Sequence, residues 1–247
     1  DHNANIILTK TIETQSNEGN EQVLKNILKL INSLIEESIN FKINTFAGIG
    51  VGVPGVIDTE RGICLCSHNL HFNKYEIAKK IQAATNLEVK IINDANASTL
   101  AEYYFGAGKG CKNFAMLTLG TGIGGGAVID GRLLLGNSSA GAEFGHSVIC
   151  YNGKKCTCGR NGCLEQYASA TALCNATKDA MNLNKQSKMW EVGNLKNITA
   201  KTAFDYSCVD ETANMLVNSY IHYLATGITN IANVLRPEII ALGGGIA

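Results

Sequence analysis

Residues 141–166, GAEFGHSVICYNGKKCTCGRNGCLEQ, constrain this chain more than any other stretch. They hold His146, Cys156, Cys158 and Cys163, three thiols and one imidazole, the closed four-ligand set of a structural zinc. Gly153, Gly159 and Gly162 permit the sharp turns such a loop needs. Lys154, Lys155 and Arg160 do not suit a buried apolar loop, so a metal rather than packing is expected to order it. The alternative is a solvated loop with incidental thiols, and a cluster this dense beside glycine turns argues against it. Cys150 is a spare thiol that could replace one ligand, although its place between Ile149 and Tyr151 suits a strand.

What a metal would hold still matters more than the metal. A His146 bound through one ring nitrogen keeps the other facing outward as a fixed donor or acceptor. Glu143 and Glu165 stand at the ends of the loop. Clamping it brings two carboxylates and an imidazole edge together, a polar set suited to several hydroxyls at once, as on a sugar.

A chain of 247 residues, 45% of them hydrophobic, can bury a full core and is expected to form two lobes. Lys plus Arg and Asp plus Glu are equal at 21 each, which argues against nucleic acid and against an anionic membrane surface. No apolar run approaches the roughly 20 residues of a membrane span. Nine scattered Cys, an odd number, fit a reducing cytoplasm better than a disulfide framework. Both ends look cut: the chain opens without Met on an expected strand, 6–12, and closes on a glycine turn that would lead into a helix.

Periodicity predicts a helix over 21–38 and a small-residue strand over 46–53, buried on both faces. A hairpin follows with its turn at 59–62, then a helix over 74–84, a buried strand over 87–92 and a helix from Asp94 to about Phe105. A second hairpin starts at Phe114, turns through glycines into 125–130, and turns again at Asp130-Gly131 into 132–135. One helix is expected from Cys163 to about Met181, short helical pieces near Met189-Trp190 and from Thr199, and a long helix over 211–235. That last helix is expected to turn Met215, Leu216, Ile221, Leu224, Ile228, Ile231 and Val234 inward; Pro237 stops it, and 238–242 is the final strand. Strands alternating with helices make an α/β architecture. The lobes are expected at 1–97 and 98–247, with the hinge near 96–108.

Three glycine or amide clusters remain. Gly120, Gly122 and Gly125, like Gly50, Gly52 and Gly55, fit the dinucleotide spacing, but each run leads into a strand rather than a helix. A strand–glycine turn–strand can instead aim backbone N–H groups at phosphate oxygens, with Thr121 adding a hydroxyl. Asn93-Asp94 stands where a strand hands over to a helix. There Asp94 is either a helix cap or a base for a substrate hydroxyl, with Asn93 holding the neighbouring one. Gly243 to Gly245 either admits a nucleobase or ribose to the backbone or is a plain helix entry. His68 and His71 flank a loop and are expected at the surface.

The chain resembles the ROK family, and within it the bacterial glucokinases. The matches are Gly-Val-Pro-Gly at 52–55, Asn-Asp-Ala-Asn at 93–96, Leu-Gly-Thr-Gly-Ile-Gly-Gly-Gly at 119–126 and Gly-Ala-Glu-Phe-Gly-His at 141–146. Cys-Thr-Cys-Gly at 156–159, Gly-Cys-Leu-Glu at 162–165 and residues 237–245 complete them. The segment EQYASATAL from Glu165 is similar to glucokinases of low-GC Gram-positive bacteria.

The resemblance implies an actin-like, ribonuclease H-like ATPase fold, two α/β lobes with a cleft between that closes on a sugar and ATP. It implies Asp94 as the general base, with Asn93, Asp94, Glu143, His146 and Glu165 on the sugar and Gly55 and Asn69 at the pocket wall. Thr121 and Gly122 would meet the ATP phosphates, Gly244 and Gly245 the nucleoside side, and His146, Cys156, Cys158 and Cys163 a zinc ion. Mg2+ would accompany ATP. The family's first phosphate hairpin, Asp-x-Gly-Gly-Thr-x-x-Lys, would precede Asp1 and is missing, so poor catalysis is expected of these residues alone.

The expected function is ATP-dependent phosphorylation of a hexose, glucose first, in glycolysis, by a cytoplasmic homo-oligomer such as a dimer. A kinase for N-acetylmannosamine, fructose or mannose, or a sugar-sensing repressor with a helix-turn-helix ahead of this region, are the alternatives. A zinc-ribbon nucleic-acid module fits poorly.

Overall fold

The computed structural model describes residues 5–67 and 69–247; His68 lies outside them. The chain divides into two compact units: residues 1–98 with 135–141, and residues 99–134 with 142–247.

In the first unit, helix α1 (Asn20–Ser38) turns Val23 and Leu24 into a core shared with Ile77, Ala78 and Ile81 of α2 (Ile77–Thr85). Strands β1 (Ile49–Val53) and β5 (Val89–Asn93) pair in parallel, Val53 opposite Asn93. Strands β2 (Val56–Asp58), β3 (Ile63–Ser67) and β4 (Phe72–Tyr75) form a separate antiparallel sheet. Its Ile57, Cys64, Phe72 and Tyr75 enter the same core, where Phe72 and Tyr75 stack with ring centroids 4.6 Å apart. A short 3-10 turn at Asn137–Ser139 packs on β2, which brings 135–141 into this unit.

Several expectations are corrected here. Residues 6–12 are not a strand: 5–15 carry no regular element. A strand needs a partner, and among the described residues none pairs with this segment; Ile6 is 85% exposed. Lys10 instead donates to the Ser33 carbonyl on α1 at 3.0 Å, and Ile7 and Leu8 border an apolar recess of about 320 Å³ with Ile31, Leu34 and Phe46. β1 begins at Ile49 and is not buried on both faces, since Gly50 and Gly52 are exposed. β4 replaces the start of the expected 74–84 helix.

In the second unit, β6 (Phe114–Leu119) and β7 (Ile123–Ile129) form the hairpin, β8 (Arg132–Leu133) extends it, and β9 (Ile239–Gly243) pairs with β6 in parallel. Side chains alternate across a strand. Ala115, Leu117 and Leu119 therefore face one core, and Phe114 and Met116 the other, with Leu100 and Tyr103 of α3 (Asp94–Phe105). The first core is closed by α4 (Glu165–Ala168), α5 (Ala170–Leu183), α6 (Thr202–Tyr206) and α7 (Glu211–Leu235).

The helix expected over 163–181 is in fact two. Ser169 adopts an extended backbone and caps α5 by accepting from Ala172 N–H at 3.1 Å. The buried face of α7 is also shifted: Ala213, Val217, Tyr220, Leu224, Gly227 and Ile231 are buried, while Met215, Ile221 and Val234 are exposed. Gly227 belongs to this face because Leu164 occupies the space that a side chain there would need. Among the described residues no helix is long and apolar enough to cross a membrane.

Candidate active site and metal cluster

Parallel pairing of β1 with β5 sets the carboxyl ends of both strands side by side, so Pro54-Gly55 neighbours Asn93-Asp94. Asn93 Nδ2 donates to the Gly55 carbonyl at 3.1 Å, and Asn93 Oδ1 accepts from Asn96 N–H at 3.1 Å. Asn93 thus supplies the helix cap. That frees Asp94, exposed at the first position of α3, from the task; its Oδ1 accepts from Ala95 N–H at 2.9 Å. Gly55 has φ of 120°, and a Cβ there would run into the Cys66 carbonyl. Only glycine fits. Buried Ser67 lies directly beyond it. Asn69 is exposed in the turn between β3 and β4.

The second unit builds its own edge. β6 and β9 run parallel, with Thr118 opposite Gly243, so the turns that follow them emerge together. Gly120 N–H donates to the Gly122 carbonyl at 3.0 Å, which closes the turn and leaves Thr121 exposed. Gly244, at φ of 103°, lies directly against the Leu119 carbonyl. The two glycine runs therefore meet at the carboxyl ends of adjacent parallel strands, where open α/β sheets collect ligands.

Residues 142–168 fold onto this edge. The ligand atoms of His146, Cys156, Cys158 and Cys163 all lie within 4.8 Å of one another. Cys156 Sγ is 3.6 Å from His146 Nδ1, and Cys158 Sγ is 3.6 Å from Cys163 Sγ. Tetrahedral zinc with Zn–S bonds of about 2.3 Å has S–S edges of roughly 3.8 Å. The spacing fits such an ion. Cys150 is not in the set. The exposed Cys158 thiol is drawn down to about 6, first by the backbone N–H of Arg160. Burial, then the Cys158 and Cys156 thiols, push Cys163 up to about 12. The thiolates oppose one another, and a cation is what would let them ionise together. With Nδ1 turned to Cys156, His146 keeps Nε2 for another partner. Glu143, exposed, stands at the residue before the 3-10 turn that carries His146.

Glu165 opens α4. Its Oε2 accepts from Ile123 N–H, in the glycine turn, at 3.1 Å. A Cβ on Gly122 would occupy the place of that oxygen.

The ROK family profile matches residues 1–247, the whole chain. The chain belongs to the ROK family. This ROK chain is 34% identical to a glucokinase of Halalkalibacterium halodurans over 239 residues, 96% of this chain and 72% of that protein. It is 35% identical to a glucokinase of Thermotoga maritima over 246 residues, 98% and 75% of the two. A xylose repressor of Bacillus subtilis is 36% identical over 199 residues, 81% of this chain and 48% of the repressor. In structure the chain is similar to a ROK glucokinase of Streptomyces griseus in complex with glucose and AMPPNP. That likeness has a TM-score of 0.86 at 28% identity, covering 100% of this chain and 78% of the other. The ROK chain has the actin-like ATPase fold.

Of the site residues expected from sequence, Gly55, Asn93 and Asp94 gather at the first unit's sheet edge, with Asn69 in a turn of the same unit. Thr121, Gly122, Gly244 and Gly245 gather at the second unit's edge, which Glu165 and the metal elbow also border. Sequence reasoning missed the contact of Glu165 with the glycine turn. The signal for it was the glycine at 122, which a turn of this length did not require.

Proposed function

We propose that this protein is an ATP-dependent hexose kinase that converts glucose to glucose 6-phosphate. One observation carries the reading: two glycine turns share a sheet edge with a Cys3His elbow that presents Glu165. Similarity to glucokinases over nearly the whole chain supports it.

In this reading Thr121 and Gly122 meet the ATP phosphates, and Gly244 and Gly245 approach the nucleoside. Glu143, His146 through Nε2, Glu165 and Asn93 hold sugar hydroxyls, with Gly55 and Asn69 at the wall. Asp94 takes the proton from the 6-hydroxyl as the phosphoryl group transfers. Its exposure and its release from capping suit that role. Mg2+ bound with ATP supplies charge neutralisation. His146, Cys156, Cys158 and Cys163 hold a structural Zn2+ that fixes the elbow. The protein works in glycolysis in the cytoplasm, as a homo-oligomer such as a dimer, and binds no nucleic acid.

A second reading, a sugar-responsive repressor, is favoured by the similarity to the xylose repressor. A coupled assay across glucose, mannose, fructose and N-acetylmannosamine separates the two. ADP formation stimulated by glucose above the other sugars supports the kinase. Sugar binding without any ADP formation favours the repressor.

A further inference from the structure

Glu165 belongs to two structures at once. Leu164, fully buried, donates from its N–H to the Ser147 carbonyl at 2.9 Å, and Gln166 N–H donates to the Cys163 carbonyl at 3.0 Å. Both neighbours of Glu165 are thereby tied into the metal elbow. Its carboxylate reaches the other way, to Ile123 N–H at 3.1 Å. Five residues on, Ala170 N–H donates to the Gly120 carbonyl at 2.8 Å, so the segment is fixed on both sides of the Gly120–Thr121–Gly122 turn. Gly122 has no side chain where the carboxylate docks. Among the described residues none donates a hydrogen bond to the second oxygen, Oε1, which stays available to a ligand hydroxyl.

We infer that Glu165 is a positioning residue that couples the two substrates, with Oε1 taking a sugar hydroxyl and Oε2 holding the glycine turn for the ATP phosphates. The inference rests on the kinase reading above. A hydroxyl on Oε1 fixes the carboxylate rotamer, which fixes Ile123 N–H and with it the turn. A nucleotide that orders the turn orders the carboxylate in return. Coupling between two ligands is reciprocal, so each must tighten the other by the same factor.

The test is titration of the metal-loaded protein with Mg2+·AMPPNP, with and without saturating glucose, and the converse titration. The wild type should show tightening of about fivefold or more in both directions. In E165A and in G122A, which crowds the carboxylate off the turn, the factor should fall to within about twofold of unity with zinc content unchanged. E165Q keeps an acceptor for Ile123 N–H and should retain more of the coupling than E165A. Full coupling in E165A or G122A overturns the inference, as does its absence in a wild type that binds both ligands. A wild type that binds neither ligand overturns the kinase reading instead, and this inference with it.

Discussion

Asn93 spans the carboxyl ends of two parallel strands, its amide nitrogen on the Gly55 carbonyl at 3.1 Å and its amide oxygen on the Asn96 N–H. One side chain fixes both the Pro54-Gly55 turn and the start of α3. N93A should therefore cost about 1–2 kcal/mol of stability, the size of a lost cap with a further hydrogen bond, and raise the KM for glucose more than it lowers kcat. Urea denaturation and steady-state kinetics check both. A variant with unchanged stability and KM would show that the bridge positions nothing.

Gly55 tests the same edge from the other side. At φ of 120°, with the Cys66 carbonyl in the space of a Cβ, G55A meets strain and a clash together. It should destabilise the protein by about 2 kcal/mol or more and lose glucose affinity. A fully stable G55A with normal affinity would contradict this.

The helices show how much of the fold was legible. α1, α3 and α7 match their expected spans within a residue, because apolar periodicity marks α1 and α7, Pro237 stops α7, and the polar run at Asn93-Asp94 marks the start of α3. β4 was not legible, because Asn73 and Lys74, both exposed, separate its two aromatic residues. The break at Ser169 was hidden inside one continuous helical pattern, and the buried face of α7 misled because its stripe includes the small residues Ala213 and Gly227 beside Val217, Tyr220, Leu224 and Ile231, which leaves Met215, Ile221 and Val234 outside it. In the site, the glycine runs, Asn93-Asp94 and the Cys3His set were all visible as motifs. Their arrangement was not: it depends on β6 pairing with the distant β9, and spacing along the chain carries no trace of that register.

Metal content tests the elbow. One zinc per chain is predicted, and chelation should raise hydrogen exchange across residues 141–166 while the β6–β7 hairpin stays protected. Loss of glucose affinity should accompany it. A protein free of zinc with a protected elbow would contradict the assignment.

Asp210 sets an acid limit. Its Oδ1 accepts from Ala213 N–H at 2.9 Å and its Oδ2 from the Ser187 hydroxyl at 2.8 Å and from Lys188 N–H. Burial pushes this carboxyl up, but the Ala213 N–H, the Ser187 hydroxyl and the Lys188 N–H outweigh it and hold it below its ordinary value of 3.8. A depressed carboxylate stabilises fully above its unfolded value and loses that contribution as pH falls through the folded one. The wild type should therefore lose stability below about pH 4. D210A should be about 2–3 kcal/mol less stable at neutral pH, with a smaller acid-induced loss than the wild type. Parallel pH profiles would show that Asp210 carries none of this dependence.

The most direct measurement is glucose-dependent ADP formation by the full-length protein, wild type and D94N, alongside glucose binding by calorimetry. The account predicts turnover by the wild type and a fall of about a thousandfold or more in D94N, with glucose affinity kept within about threefold. Near-normal turnover by D94N, or a wild type that phosphorylates no hexose, would contradict it.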